Sequence, residues 1–401
     1  MTTNPLVAPA PTASAYRHAW AEVDLDAVVS NAALLARISA PSLLCAVVKA
    51  DAYGHGAAPV ARAALFGGAS CLAVALVEEG VSLREAGIEA PILLLSEAPT
   101  GAMREVVERG LTPTVYSLES VREVRDAVRE SSTSRPGRFP VQVKVDTGMH
   151  RVGADPDAVE PVVRALCDAK ELSFGGLWTH LAVADEPRDP FTDLQLDRFE
   201  QVRSALRAAG LPEPDQVHAA NSAGAIAHRA SRYDLVRCGI ALYGHLPAAG
   251  MARDLARASG GGALVPALSW RARVSFVREV GPGERSSYGL RYETTGRTDL
   301  AVVPVGYADG VPRLLFERGG AALVSGRRAP IAGTVTMDQL ILDCGPDSGV
   351  RQGDEVVLVG SQGDCSITVE EWAERLATIS YEILCRIGVR LPRVHVGGPP
   401  S

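Results

Sequence analysis

The chain has 401 residues, which at about 150 residues per domain means two or three domains or one large one. Its 47% apolar and 22% charged residues argue against a largely disordered chain, and a net charge of −7 with no basic block argues against nucleic acid or an anionic membrane as partner. Seven cysteines (Cys45, Cys71, Cys167, Cys238, Cys344, Cys365 and Cys385) form no Cys-x-x-Cys pair, which suits reduced thiols in a cytoplasmic protein and speaks against a zinc ribbon or a disulfide scaffold.

Residues 1–17 read as a flexible tail, because the first sixteen hold neither a basic residue nor the apolar stretch of a signal peptide. A short run from Ala19 to Leu25 follows, able to pair with strands near the C-terminus. From residue 43 to about 240, apolar β-branched runs alternate with amphipathic stretches, the rhythm of strand followed by helix. Eight runs begin near Leu43, Cys71, Pro91, Leu111, Phe139, Leu172, Gln216 and Tyr233, with helical spacing between them, as in Val121, Val124 and Val128. Eight parallel strands suggest an α/β fold, a closed (β/α)8 barrel over residues 18–248, with an open doubly wound sheet as the alternative. No run approaches the roughly 18 apolar residues of a membrane span. The pattern breaks in the glycine-rich stretch from Leu246 to Gly262. Beyond it, residues 249–397 carry strand-like runs separated by Gly and Pro turns, and Val369 to Leu376 alone looks helical, so the C-terminal third reads as a smaller, mostly antiparallel β domain.

Lysine is scarce: of 40 basic residues only Lys49, Lys144 and Lys170 are lysine. An amine, unlike a guanidinium, can lose its proton near neutral pH and act as base or imine former. Lys170 ends a helical pattern and suits a solvated surface. Lys49 closes the first barrel run, in Lys49-Ala-Asp-Ala-Tyr53-Gly-His-Gly56, and Lys144 closes the fifth. In such a barrel the chemistry sits where strands end, so His180, His218, Asn221, Ser222, Arg237, Gly239 and Ile240, which close the later runs, would share one rim with them. Ser222 and the Gly239 and Ile240 amides lie in the loops where barrels bind phosphate, although Asn221-Ser222 also suits plain helix capping. Gly54-His-Gly56 is a weak dinucleotide signal, since Pro59 stands where a third glycine is wanted. Neither a Gly-x-Ser-x-Gly elbow nor metal-ligand spacing is found. An amine, a phosphate cradle and a deep arginine together describe a site for a phosphorylated aldehyde held on lysine, which is pyridoxal 5'-phosphate.

The block Ala-Val-Val-Lys49-Ala-Asp-Ala-Tyr53-Gly-His-Gly56 resembles the cofactor-lysine motif of the alanine racemases, which have a (β/α)8 barrel followed by a β domain. Lys144-Val-Asp-Thr-Gly-Met-His-Arg151, Thr-His180, Arg237-Cys-Gly-Ile-Ala-Leu-Tyr-Gly, Ser-Tyr288-Gly, Val-Gly-Tyr307-Ala-Asp-Gly, Met337-Asp338 and Ile-Ser-Tyr381-Glu-Ile extend the resemblance from about Trp20 to Gly397. It implies a two-base interconversion of L- and D-alanine that supplies D-alanine for peptidoglycan, with Lys49 as base on one face and Tyr288, reaching in from the partner of a homodimer, on the other. His180 and Arg237 would condition that phenol, and Arg237 would hold the pyridine nitrogen. Tyr53, Ser222, the amides of Gly239 and Ile240, and Tyr381 would bind the phosphate, and Asn221 would be a further cofactor-binding residue. Arg151 would face the cofactor phenolate and substrate carboxylate; Tyr307, Met337 and Asp338 would line the substrate side; Lys144 matches a lysine often carbamylated in relatives. The competing readings are a racemase of broader specificity, a barrel decarboxylase and a non-catalytic binding protein.

Overall fold

The structure, a computed structural model, describes residues 16–131 and 137–399; the expected tail, apart from its last two residues, lies outside them. The described residues form two compact units, one of residues 25–52, 56–131, 137–266 and 398–399, the other of residues 16–24, 53–55 and 267–397.

Strand β1, Ala19–Asp24, belongs to the second unit. Among the described residues the first unit carries eight strands: β2 Leu43–Val47, β3 Cys71–Val74, β4 Ile92–Leu94, β5 Thr114–Val115, β6 Phe139–Lys144, β7 Leu172–Trp178, β8 Val217–His218 and β9 Leu235–Cys238. These are the eight apolar runs of the sequence, and all pairings among them are parallel, in the orders β4-β3-β2-β9 and β5-β6-β7-β8. Backbone bonds close both seams. Leu94 N–H donates to Thr112 O at 2.9 Å on one side; Asp234 N–H donates to Val217 O and Arg237 N–H to Ala220 O, both at 3.0 Å, on the other. The sheet is therefore a barrel, which settles the open-sheet alternative. Parallel strands covered on both faces need apolar side chains at nearly every position, and β2, β3, β4 and β9 are buried almost throughout. The crossover helices turn one face inward: in Leu118–Glu130 Val121, Val124 and Ala127 are buried, and Ser117 Oγ caps the helix by accepting from Ser120 N–H at 3.1 Å.

Residues 249–266, expected with the C-terminal domain, pack on the barrel unit. Asn31 is the fastener: its Nδ2 donates to Leu242 O at 3.1 Å and Val265 O at 2.8 Å, and its Oδ1 accepts from Val265 N–H at 2.8 Å. Three hydrogen bonds on a fully buried amide outweigh the loop-like composition of the segment.

The second unit is built on β1 together with β10 Leu268–Arg273, β11 Phe276–Val280, β12 Arg285–Ser286, β13 Tyr292–Glu293, β14 Thr298–Val303, β15 Ala321–Val324, β16 Arg327–Pro330, β17 Leu340–Asp343, β18 Glu355–Gln362, β19 Cys365–Ile367 and β20 Arg393–Val396. Its main sheet runs β16-β15-β18-β10-β1-β20, with β19 on β18, and β11-β14-β17 forms a second. All pairings are antiparallel except β1 with β20. The early run thus pairs where the sequence allowed. Trp270 and Trp372, ring centroids 5.9 Å apart, anchor the core. One expectation changes: Val369–Leu376 is not alone, since Ser380–Cys385 is a second helix. No helix among the described residues is long and apolar enough to cross a membrane.

Gly244 has φ +92°, and a Cβ there would stand 2.0 Å from the Val265 carbonyl oxygen. Gly244→Ala is expected to destabilise the barrel unit by about 2 kcal/mol or more, through both strain and overlap. An unchanged urea midpoint would contradict the packing of residues 249–266 given above.

Candidate active site

Lys49 follows β2 by two residues and opens a single left-handed helical turn, Lys49–Gly54, in which Ala50, Asp51, Ala52 and Tyr53 have φ between +51° and +54° and Gly54 has +81°. For non-glycine residues this conformation costs roughly 1–2 kcal/mol each, so the four store on the order of 4–8 kcal/mol. The sequence indicated a tight loop from Gly54 and Gly56, but not that the strain runs back through four side-chain-bearing residues. Ala52 N–H donates to Val48 O and Gly56 N–H to Asp51 O, both at 2.9 Å, while Asp51 Oδ1 accepts from Ala57 N–H at 2.7 Å. Ala50 N–H donates to Glu79 Oε1 at 2.6 Å.

The barrel interior beside this turn is cationic. Arg237, nearly fully buried on β9, donates from Nη2 to Thr179 O at 2.8 Å and Ala219 O at 3.0 Å, and from Nη1 to His218 Nδ1 at 2.6 Å; its Nη2 also lies 3.3 Å from His180 Nδ1. A guanidinium only donates, so both histidines present Nδ1 as acceptor and carry their proton on Nε2. His218 Nε2–H then donates to Gln142 Oε1 at 3.1 Å, which the assignment requires. Gly176 makes room for that amide: a Cβ at 176 would overlap Gln142 Oε1 at 1.8 Å. Burial, reinforced by Arg237, holds both imidazoles well below their ordinary pKa, so they are neutral. Burial also lowers Arg237, to about 10, which leaves it charged at neutral pH.

Trp178 forms the floor. Its ring stacks on His218 at 5.5 Å, lies 4.6 Å from the Arg237 guanidinium carbon and carries Lys144 Nζ at 4.5 Å. Burial, then the charges of Arg237 and Arg151, lower Lys144 to about 7. Arg151 itself is exposed, and so is Lys170, as its surface reading expected. The loops after β6 and β7 are tied by Gln195, whose Nε2 donates to Thr147 Oγ1 and to His180 O at 3.1 Å.

At β8 and β9 the loop groups bond to one another. Asn221 Oδ1 caps the helix Ser222–Ala227 by accepting from Gly224 N–H at 2.9 Å, as the capping alternative had it. Gly239 N–H donates to Ser222 Oγ at 2.9 Å, and Ala241 N–H lies 3.4 Å from the same oxygen. A hydroxyl that accepts these amides keeps its own hydrogen to donate, so Ser222 is positioned as the donor of this loop.

In the second unit, Tyr53 and Tyr381 rings stand 6.1 Å apart. Arg393 Nε donates to Gly54 O at 2.9 Å while its Nη1 holds Gly388 O and Leu391 O. Tyr288, 73% exposed, sits on a cleft of about 440 Å³ with Ser287, Gly289, Val302, Thr336, Gln339 and Ile341. Thr334 Oγ1 donates to Tyr288 O at 3.0 Å and Tyr307 N–H to Thr336 O at 2.9 Å, so Tyr288, Tyr307 and Met337 lie on neighbouring loops of one lip. Asp338 is engaged by Arg390 at 2.7 Å, and that guanidinium also faces the buried Asp309. Sequence reasoning gave no role to Glu79, Gln142, Trp178 or Gln195, and quoted His218 only as part of a strand end; polar residues inside barrel runs were the available signal for Gln142 and His218.

The barrel closes around a donor-only arginine and two neutral imidazoles, with an amine where its first strand ends, the arrangement of an enzyme site at the strand ends of an α/β barrel. The family model described as alanine racemase, N-terminal domain, matches residues 23–247, and that of the C-terminal domain matches residues 267–395. The chain is 47% identical over 382 residues to the alanine racemase of Symbiobacterium thermophilum, spanning 95% of this chain and 98% of the relative, and 44% identical over 382 residues to that of Thermobifida fusca, spanning 94% and 98%. The crystal structure of alanine racemase from D-cycloserine-producing Streptomyces lavendulae has a TM-score of 0.86 at 39% identity, with 96% of this chain and 98% of that one covered. A histidine racemase from Leuconostoc mesenteroides subsp. sake has a TM-score of 0.83 at 28% identity, with 96% and 99% covered. The chain belongs to the alanine racemase family, and its activity is the isomerisation for which that family is named.

Because His180 and His218 have lowered pKa values, the unfolded chain takes up protons below about pH 6.5 while the folded chain does not, so stability falls on acidification. Each ring is expected to contribute up to about 1.4 kcal/mol per pH unit until its folded pKa is passed. Urea midpoints between pH 7 and 5.5 test this: His218→Gln should flatten the slope, and an equal slope would remove His218 from the account.

Proposed function

We propose that the chain interconverts L- and D-alanine by moving the Cα proton between two bases, Lys49 on one face and Tyr288 of a second copy on the other, with pyridoxal 5'-phosphate as cofactor. The observation that carries this reading is the donor-only Arg237 held among two neutral histidines and two carbonyls beneath the lysine-bearing strand end. The donor set suits the cofactor: an amine for its aldehyde, the Ser222 hydroxyl with Tyr53 and Tyr381 for its phosphate, and Arg237 for its ring nitrogen. When bound, the cofactor acidifies the substrate Cα–H by delocalising the resulting charge.

The protein's part is to hold and move protons. Arg237 keeps its proton at neutral pH, so a ring nitrogen held by it would stay largely unprotonated, which would limit side reactions that need stronger delocalisation. The geometry of His180, Nδ1 towards Arg237, leaves an Nε2–H donor suited to a phenolate on the second base. Arg151, near the mouth, suits the substrate carboxylate, and Tyr307 and Met337 the alanine side chain; Asp338 supports them through Arg390. Lys144, with a pKa near 7, has a neutral fraction able to add CO2 with release of a proton, and the carbamate would set a negative charge among Arg151, Arg237 and Lys49. The exposed lip that carries Tyr288 supports a homodimer with shared sites. In the cell the reading places the enzyme in the cytoplasm, supplying D-alanine for peptidoglycan. The likeness to a histidine racemase favours one second reading, a broader substrate range, because the same architecture there carries a larger side chain by that protein's name. Chiral chromatography after incubation with L-alanine, L-serine and L-lysine separates the two.

Lys49→Ala is expected to abolish both racemisation and the visible absorbance of the cofactor-loaded protein; retention of both would refute the assignment. Tyr288→Phe should keep that absorbance yet slow solvent deuterium incorporation from one enantiomer by about 10²–10⁴-fold. Unchanged rates from both enantiomers would remove Tyr288 from its role. Mixing these two inactive variants should regain activity through mixed dimers, and a mixture that stays inactive at any ratio counts against a shared site.

A further inference from the structure

The left-handed turn that begins at Lys49 is strained at four consecutive side-chain-bearing residues, and such a run persists only where its surroundings over-determine it. Most of its hydrogen bonds are local, from Val48, Asp51, Gly56 and Ala57. Glu79 is different. It lies in the first turn of the helix Val77–Glu85, after β3, and its Oε2 reaches back over that helix's own N-terminus to accept from Ala75 N–H at 2.8 Å and Leu76 N–H at 3.1 Å. Those two bonds complete an ordinary capping role for a first-turn glutamate. Its other oxygen, Oε1, crosses to the neighbouring strand end and accepts Ala50 N–H at 2.6 Å, a short, charge-assisted bond that capping does not need. Ala50 N–H belongs to the peptide that joins Lys49 to Ala50. Holding that peptide fixes ψ of Lys49, and with it the direction in which the Lys49 side chain leaves the backbone.

We propose that Glu79 is a positioning residue that clamps the strained turn and aims the Lys49 amine. The proposal rests on Lys49 being the amine that bears the cofactor. In this view one carboxylate couples the ends of β2 and β3, so the direction of the amine is set by the adjacent strand–helix unit as well as by its own.

The test separates clamp from cap. In cofactor-free protein, Glu79→Ala is expected to speed hydrogen exchange of the peptide spanning residues 48–57 by about tenfold or more relative to the rest of the barrel. On adding pyridoxal 5'-phosphate, the visible absorbance should develop more slowly by a similar factor. A second variant carries Leu76→Asp on top of Glu79→Ala. Leu76 is exposed, has extended backbone at the N-cap position, and an aspartate there restores a cap without reaching Ala50. Fast exchange and slow uptake that persist in this double variant support the clamp. Recovery of both to the wild-type values overturns it and leaves Glu79 as a helix cap. Glu79→Gln serves where Glu79→Ala does not fold, since one amide oxygen can accept Ala50 N–H: turn exchange between wild type and unfolded supports the clamp, and wild-type exchange with the cap bonds lost to chemical denaturation supports it further, whereas turn exchange that moves only with the whole barrel overturns it. Failure of the underlying reading shows separately, as cofactor absorbance that survives Lys49→Ala.

Discussion

A guanidinium buried at the centre of the barrel sets the terms for everything around it. Arg237 can donate and cannot accept, and at about 10 its lowered pKa still leaves it charged. Each polar group that meets it is therefore obliged to turn a lone pair inward. Two carbonyls do so through the backbone. His180 and His218 do so by tautomer, which moves both their protons to Nε2, and the Gln142 amide then has to offer His218 its oxygen. One permanent charge thus propagates an orientation through three further side chains without any of them being charged. The aromatic face of Trp178 compensates part of the electrostatic cost by lying against both Arg237 and Lys144.

The two units supply different kinds of chemistry because their sheets differ. Parallel strands buried on both faces leave polar groups only where strands end or where a residue pays its way inside the barrel by hydrogen bonding, and there they are rigid and poorly solvated. That environment lowers Lys144 and the two histidines. The antiparallel unit has loops with solvent on one side, and its tyrosines at 288 and 307 are correspondingly accessible. A group meant to keep a fixed protonation state suits the first setting, whereas a group that must meet another molecule suits the second.

Much of this was legible in the sequence. The eight barrel strands came from apolar runs of strand length, because a doubly covered strand needs an apolar residue on either face. The β-rich C-terminal third came from its glycine and proline turns, and the strand-end residues Lys49, Lys144, His180, Ser222 and Arg237 followed from the barrel's own polarity. The helix Ser380–Cys385 was missed, being a single short segment whose alternation of Ile379, Tyr381 and Ile383 also reads as strand. The assignment of residues 249–266 missed the three bonds from Asn31, a contact far away along the chain.

What the sequence determined by itself was which chemical groups the chain owns and the order in which strand ends present them, since periodicity and turn residues are local properties. What only the tertiary structure decided was the state of those groups: the Nε2–H tautomers, the use of the Gly239 amide by Ser222, the left-handed turn after Lys49 and the Glu79 carboxylate on its first peptide. These depend on distances between residues remote in sequence and on the exclusion of water, and neither quantity is written in any local run of residues.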